Sequence, residues 1–359
     1  MKIMNPNFQH PIAALLFSCL ATINVVAAEP ARGTVVTEHL ASEILRENHT
    51  GLDPNRVIKV YLPPGYAASG KSYPVVYFCH SLNWSAPQVF EDGNMAKQLE
   101  RAFAGGVVGE FIMVAADYST PTMGSLYENS PVSGRWLDFT AQELVPFIDA
   151  KFRTIRHRNS RALAGDFMGG RGVLQLAMVH AKFFSVAYAM HPVATGTGFL
   201  PINYIDVDWR RIHEAANYAE LAGAGRTQIF LMICQAFLPN PSRPPFYCDF
   251  PMELVDGTPQ IHPVNNRALQ KGFLLDETLD EFAANLRTLR GLAFDWGRYD
   301  PTQAHVYANQ AFTKKLADLA IPHEAEEFSG NPWDQYWGER GRFTTRVLPF
   351  FARHLVFAK

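Results

Sequence analysis

Residues 160–177 read SRALAGDFMGGRGVLQLA. An apolar run, Ala162 to Ala164, leads into Gly165. Asp166, Phe167, Met168, Gly169 and Gly170 follow, and then an apolar pattern with helical spacing begins. The stretch predicts a strand, a sharp turn and a helix. Gly165 and Gly169 bracket one position as the glycines of a G-x-S-x-G corner bracket a nucleophilic serine on a strained strand-to-helix turn. Here the bracketed residue is Phe167. Moving the register back by one would put Asp166 at the tip between Ala164 and Met168, and Met168 is too bulky for the helix to approach the strand. The glycines therefore place the tip at Phe167, which has no hydroxyl, thiol or carboxylate to attack with. Taken alone, the turn also suits a tight connection in some other α/β fold.

Outward from this turn, strand and helix patterns alternate. Residues 34–45 and 57–62 read as strands, with Pro63-Pro64-Gly65 as a turn. Residues 73–79 and 111–116 are short continuous apolar runs, the pattern of strands buried on both faces. Residues 137–152 have helical spacing, and 184–190 is a further strand ending at His191. From Pro192 to Arg226 the pattern weakens, with a polar helix near 209–221, and this part is read as an insertion over the sheet. Residues 229–234 read as a strand, 279–289 as an amphipathic helix, 292–296 as a strand, 304–319 as a helix, 324–328 as the last strand and 343–356 as the closing helix. Such alternation predicts a mostly parallel sheet covered on both faces.

The chain of 359 residues is long enough for one large core, and 26 phenylalanines make that core aromatic. A formal net charge of −2 gives no support for nucleic acid or an anionic membrane as partner. Residues 1–28 read as a signal peptide, with Lys2, an apolar stretch to Ala27 and a small-residue cut before Glu29. One domain, 29–359, is expected to follow, with no transmembrane segment and a periplasmic or secreted location. Lipoprotein anchoring at Cys19 ranks below simple cleavage because Phe17 is bulky for that signal. In an oxidising compartment Cys234 and Cys248, which flank a proline-rich loop, are candidates to pair, whereas Cys79 lies in an apolar strand.

With these pieces placed, the chain resembles the "putative esterase" family of α/β-hydrolases, which includes feruloyl esterases, S-formylglutathione hydrolase and antigen 85-type mycolyl transferases. The resemblance runs from about Gly33 to Leu355. It rests on the order of VYLPPGY from Val60, YPVVYFCH from Tyr73, SLYENSPVSGRWLDF from Ser125, ELVPFIDAKFRTI from Glu143, the corner at Phe167, and LPFFARHL from Leu348. It implies an α/β-hydrolase fold with a covering insertion and a Ser-His-Asp site. It puts the nucleophile at Phe167, the acid at Asp300 and the histidine at Pro332, in Gly330-Asn331-Pro332-Trp333. The oxyanion loop, usually His-Gly, reads His80-Ser81, with Leu82 and Met168 beside it.

A Ser-His-Asp hydrolase needs an oxygen nucleophile, a base and a carboxylate that orients the base. Phe167 and Pro332 supply neither of the first two, and Asp300 is left as a turn or helix-capping residue. His191, at a neighbouring strand end, is a residue of the same pocket. No HExxH or CxxC spacing supports a metal site, and no cofactor is expected. Three readings stay open: a pseudoenzyme that keeps the pocket to bind an ester, acyl or carbohydrate-linked ligand; an esterase using other catalytic groups; and an interaction protein with a filled pocket. A serine or histidine within reach of Asp300 would favour the second. The Phe167 ring is expected to pack against residues 82–84 and beside Pro332, and Phe167→Ser to lower stability without creating activity.

Overall fold

Continuous apolar runs demand cover on both faces, and the main sheet supplies it. The computed structural model describes residues 31–91, 94–196, 206–332 and 337–358. Eight strands make the sheet: β1 (Thr34–Ala41), β2 (Asn55–Leu62), β3 (Val75–Cys79), β4 (Ile112–Ala116), β5 (Arg161–Asp166), β6 (Val186–Met190), β7 (Gly291–Gly297) and β8 (Glu324–Phe328). Their spatial order is β1-β2-β4-β3-β5-β6-β7-β8. The pairs β1–β2 and β2–β4 are antiparallel, and the rest are parallel. The four central strands, β4, β3, β5 and β6, expose no residue. Alternation sends their side chains to two cores. Val75, Tyr77 and Cys79 of β3 enter one, and Val76 and Phe78 enter the other. This is the α/β-hydrolase arrangement, a mostly parallel sheet flanked by helices.

At the end of β5 the chain turns into the helix Met168–Val179. Both flanking glycines are required by contact. A Cβ on Gly169 would stand 1.9 Å from the Cys79 carbonyl oxygen, and one on Gly165 would stand 2.6 Å from the same atom. The helix thus leans on the backbone of β3. Phe167, between them, takes φ 52° and ψ −109°, a conformation that L side chains rarely adopt. One turn on, Arg171 is fully buried. Its guanidinium donates to the carbonyls of Leu126, Gly272 and Phe273 and lies over the Phe237 ring.

Those carbonyls belong partly to the insertion between β6 and β7, which is larger than the expected 192–226. It contains the helices Trp209–Glu214, Arg226–Phe237, Pro263–Phe273 and Leu279–Arg287 and a hairpin of Met252–Val255 with Thr258–Ile261. The expected strand at 229–234 is wrong, since those residues lie inside the helix Arg226–Phe237. A short apolar run does not distinguish a strand from a buried helix. This helix is buried from Phe230 to Ala236, with Phe230 and Ile233 turned toward the cavity beside Phe167. Buried Gln235 knits it to the loop at 122–130, accepting from the Thr122 hydroxyl and donating to the Phe246 carbonyl, while its own carbonyl accepts from Ser130.

Residues 31–359 form one compact unit. The expected signal segment, Cys19 included, lies outside the described residues, as do 197–205 of the insertion and Trp333. No helix among the described residues is long and apolar enough to cross a membrane. Cys79, Cys234 and Cys248 are buried, unpaired thiols.

Arg171→Ala is expected to cost about 3 kcal/mol or more in urea unfolding, because three carbonyls lose their donor in a buried site. Arg171→Lys should recover little of it, since an ammonium does not reproduce the planar fork.

Candidate active site

Asp300 follows β7 after two residues, and the loop after β8 lies against the same turn. A Cβ on Gly297 would meet the Gly330 carbonyl oxygen at 2.6 Å, and Tyr299 N–H donates to that oxygen at 3.0 Å. Pro332 sits buried at the end of this loop. It has no titratable group and no backbone N–H.

The Asp300 carboxylate is the hub of the site. Its Oδ1 accepts from Thr302 N–H at 2.7 Å, the turn role expected of it. Its Oδ2 lies 2.8 Å from His191 Nε2 and 2.8 Å from His305 Nδ1. Burial works to raise this carboxyl, but hydrogen bonds from the two imidazoles outweigh it and hold it well below the usual range. It is therefore ionised and accepts a hydrogen bond from each ring.

The two histidines differ in what is left over. His191, fully buried at the end of β6, accepts from Gly297 N–H at Nδ1, 3.0 Å away. That bond requires a lone pair on Nδ1, so Nε2 carries the proton given to Asp300. Burial lowers its pKa despite the neighbouring carboxylate. The depressed values on both partners fit one state, a neutral imidazole donating to a carboxylate. His191 has no free lone pair and is not a base. His305, in the first turn of the helix Gln303–Asp318, donates through Nδ1, so the lone pair of its neutral form lies on Nε2. Its side chain is 17% exposed and lines the cavity above the corner.

His191, Asp300 and His305 also place three potential metal ligands within 4.8 Å of one another. The donor set does not suit an ion. A histidine that ligates through Nε2 normally donates its other N–H, whereas His191 Nδ1 faces a donor. The cluster is satisfied by hydrogen bonds.

Phe167 packs against both rings, stacked on His191 with centroids 6.0 Å apart and planes 10° apart, and edge-on to His305 at 5.3 Å. Two histidines are thus partners of the ring that the sequence did not point to, Leu82 lines the same cavity, and the ring is half-buried. Positive φ at a bulky residue costs on the order of 1–3 kcal/mol. Two aromatic contacts return about 0.5–1.5 kcal/mol each, which is enough to balance it.

The cavity has a volume of about 220 Å³. Leu82, Met168, Phe167 and His305 form its floor, and Ile229, Phe230, Ile233 and Phe273 of the insertion form its roof, with Arg226 at its wall. A hollow of about 380 Å³ elsewhere, bordered by Glu324, Arg346 and Arg353, contains none of the corner residues. His80 lies beneath the floor. It accepts from Tyr118 N–H at Nε2 and bonds the Ser81 carbonyl through Nδ1, so both nitrogens are used in holding the loop. Ser81 in turn donates its backbone N–H to Asp166, the last residue of β5. Asp166 is buried outside the cavity lining, and one of its oxygens has no partner. Burial, against those backbone bonds, pushes its carboxyl up to about 7.

A family model described as "Putative esterase" matches residues 50–236. The chain belongs to this family. Esterase Rv1288 of Mycobacterium tuberculosis is 31% identical over 139 residues, 37% of this chain and 28% of that protein. This putative-esterase-family chain therefore matches less than a third of the length of that relative. Endo-1,4-beta-xylanase Y of Acetivibrio thermocellus is 27% identical over 141 residues, 12% of its length. Among solved structures, a ferulic acid esterase superposes with a TM-score of 0.62 at 20% identity, covering 90% of this chain and 100% of its own. The S-formylglutathione hydrolase of Staphylococcus aureus gives 0.53 at 15% identity, covering 84% of this chain and 92% of its own. At these identities the two structures speak to the fold.

Asp166 gives a pH test of the floor. In the unfolded chain its carboxyl ionises near pH 4, and in the folded protein near 7. Its favourable contribution is complete below pH 4 and is lost as pH rises to about 7, because the unfolded state sheds the proton first. Thermal melts should show wild-type stability falling between about pH 4 and 7 by a few kcal/mol at most, and Asp166→Asn should flatten that fall.

Proposed function

We propose that this protein takes a small ester or acyl compound into the cavity above Phe167 and handles it without forming an acyl-enzyme. It is a pseudoenzyme in the sense that covalent serine chemistry is gone. The observation that carries this is the identity and position of Phe167, a hydrocarbon ring at the tip where the family's nucleophile belongs. The apolar roof of Ile229, Phe230, Ile233 and Phe273 suits an alkyl or aryl group. A related feruloyl esterase module from Clostridium thermocellum has been solved with sinapinate bound, which supports an aryl acyl ligand here. The interaction-protein reading is disfavoured by the open cavity. Export through a leader at 1–28 belongs to the same proposal, and mass spectrometry of protein from its native host should find a mature N-terminus near Glu29.

A second reading, hydrolysis by other groups, gains from one observation. His305 lies 2.8 Å from Asp300, so the acid has a histidine to orient after all. The expectation that Phe167→Ser stays inert for want of a base at Pro332 is revised accordingly. A fluorophosphonate probe should leave wild type unlabelled. Phe167→Ser should lose about 1–3 kcal/mol of stability with its ring contacts and yet become labelled at the new serine. The double variant Phe167→Ser/His305→Ala should not be labelled. Labelling of wild type at a native serine would refute the proposal.

A further inference from the structure

We infer that His305 is the working base of this cavity, and that it activates water for direct attack on a bound ester. The inference rests on the reading above that an ester enters the cavity.

Three observations point to it. The Asp300 carboxylate fixes the His305 tautomer, with the proton on Nδ1 and the lone pair on Nε2. Every other imidazole nitrogen around the corner is occupied: His191 by Gly297 and Asp300, His80 by Tyr118 and Ser81. His305 itself lines the cavity, together with Phe167, Leu82 and Met168. A base with an orienting carboxylate, facing a ligand space, is what general-base catalysis requires. The family's histidine position after β8 is Pro332. Here the base comes instead from the first turn of the helix that follows the acid. Thr302 N–H and the His305 ring curl back onto the two oxygens of one carboxylate, so that turn sets both.

The step balances without a covalent intermediate. Nε2 takes a proton from water as the water oxygen bonds to the carbonyl carbon, and the π electrons of the carbonyl move to its oxygen. Met168 begins its helix, so its N–H has no intrahelical acceptor and is available to that oxyanion. When the tetrahedral adduct collapses, the C–O bond to the leaving alcohol breaks. The alcohol oxygen takes the proton from Nε2–H, leaving a carboxylic acid and a neutral His305. Phe167 does no chemistry in this scheme. Its ring holds the edge of His305 and fills the space in which a serine would otherwise compete with water for the ester.

Para-nitrophenyl acetate and its non-hydrolysable ketone analogue, para-nitrophenylacetone, test the inference together. The ketone should raise the melting temperature. The ester should be hydrolysed in linear time courses without a burst, unaffected by prior fluorophosphonate treatment, and more slowly in D₂O. His305→Gln, shown to be folded by its melt, should lose about 100-fold in rate. Added imidazole should restore part of the rate of His305→Ala. If the ketone does not bind, the cavity reading fails and takes this inference with it. If the ketone binds but wild type is no faster than buffer, or His305→Gln matches wild type, or D₂O has no effect, the inference alone is overturned.

Discussion

The contact between the elbow helix and the backbone of β3 governs this structure. With Gly169 so close to the Cys79 carbonyl that a Cβ would stand 1.9 Å away, the helix can seat itself only if the chain reverses within one residue of β5. Reversal forces positive φ at the tip whatever side chain is there. The corner is thus a packing requirement of the sheet and outlasts the nucleophile it commonly presents. Phe167 inherits the strain, and stacking on His191 with an edge contact to His305 offsets it.

The second constraint is the Asp300 carboxylate. A buried carboxylate must have its lone pairs satisfied or it protonates. Here the backbone N–H of Thr302 takes one oxygen and two imidazoles share the other. Because Gly297 fixes the tautomer of His191, that ring is a permanent donor and behaves as part of the scaffold. His305 makes no hydrogen bond through its second nitrogen among the described residues. Two histidines at equal distance from one acid therefore have unequal chemistry, and the difference is made by a single backbone N–H from β7.

Much of the fold was legible because it depends on residue types that physics places narrowly. Gly165 and Gly169 located the corner and continuous apolar runs located central strands, while Asp300 came from the family resemblance, which puts an acid after β7. The helix Arg226–Phe237 was misread because a run such as Ile229 to Cys234 is apolar on every side, as a helix between two apolar surfaces must be. His305 was missed for a different reason. It falls at the start of a helix whose pattern advertises only amphipathicity, and its role comes from the helix curling over Asp300. The signal present was a histidine five residues after the acid, within the first helical turn. Pro332 drew attention instead, since a motif search asks whether the customary position is filled.

That distinction bears on how loss of function is read from sequence. A nucleophile has to sit at the strained tip, because only there do helix N–H groups and an exposed side chain meet. A base is less confined. It needs only to reach the same point from an element that also reaches a carboxylate. In this fold the end of β7 offers such an element twice, once through the loop after β8 and once through the helix that begins beside Asp300. Replacing the tip residue removes the covalent route outright, while replacing the histidine of one route leaves the other available. If covalent serine chemistry is gone, as we propose, Phe167 and Pro332 are not equivalent losses. The first changes the kind of chemistry the cavity can support, and the second changes only the direction from which a proton can be taken.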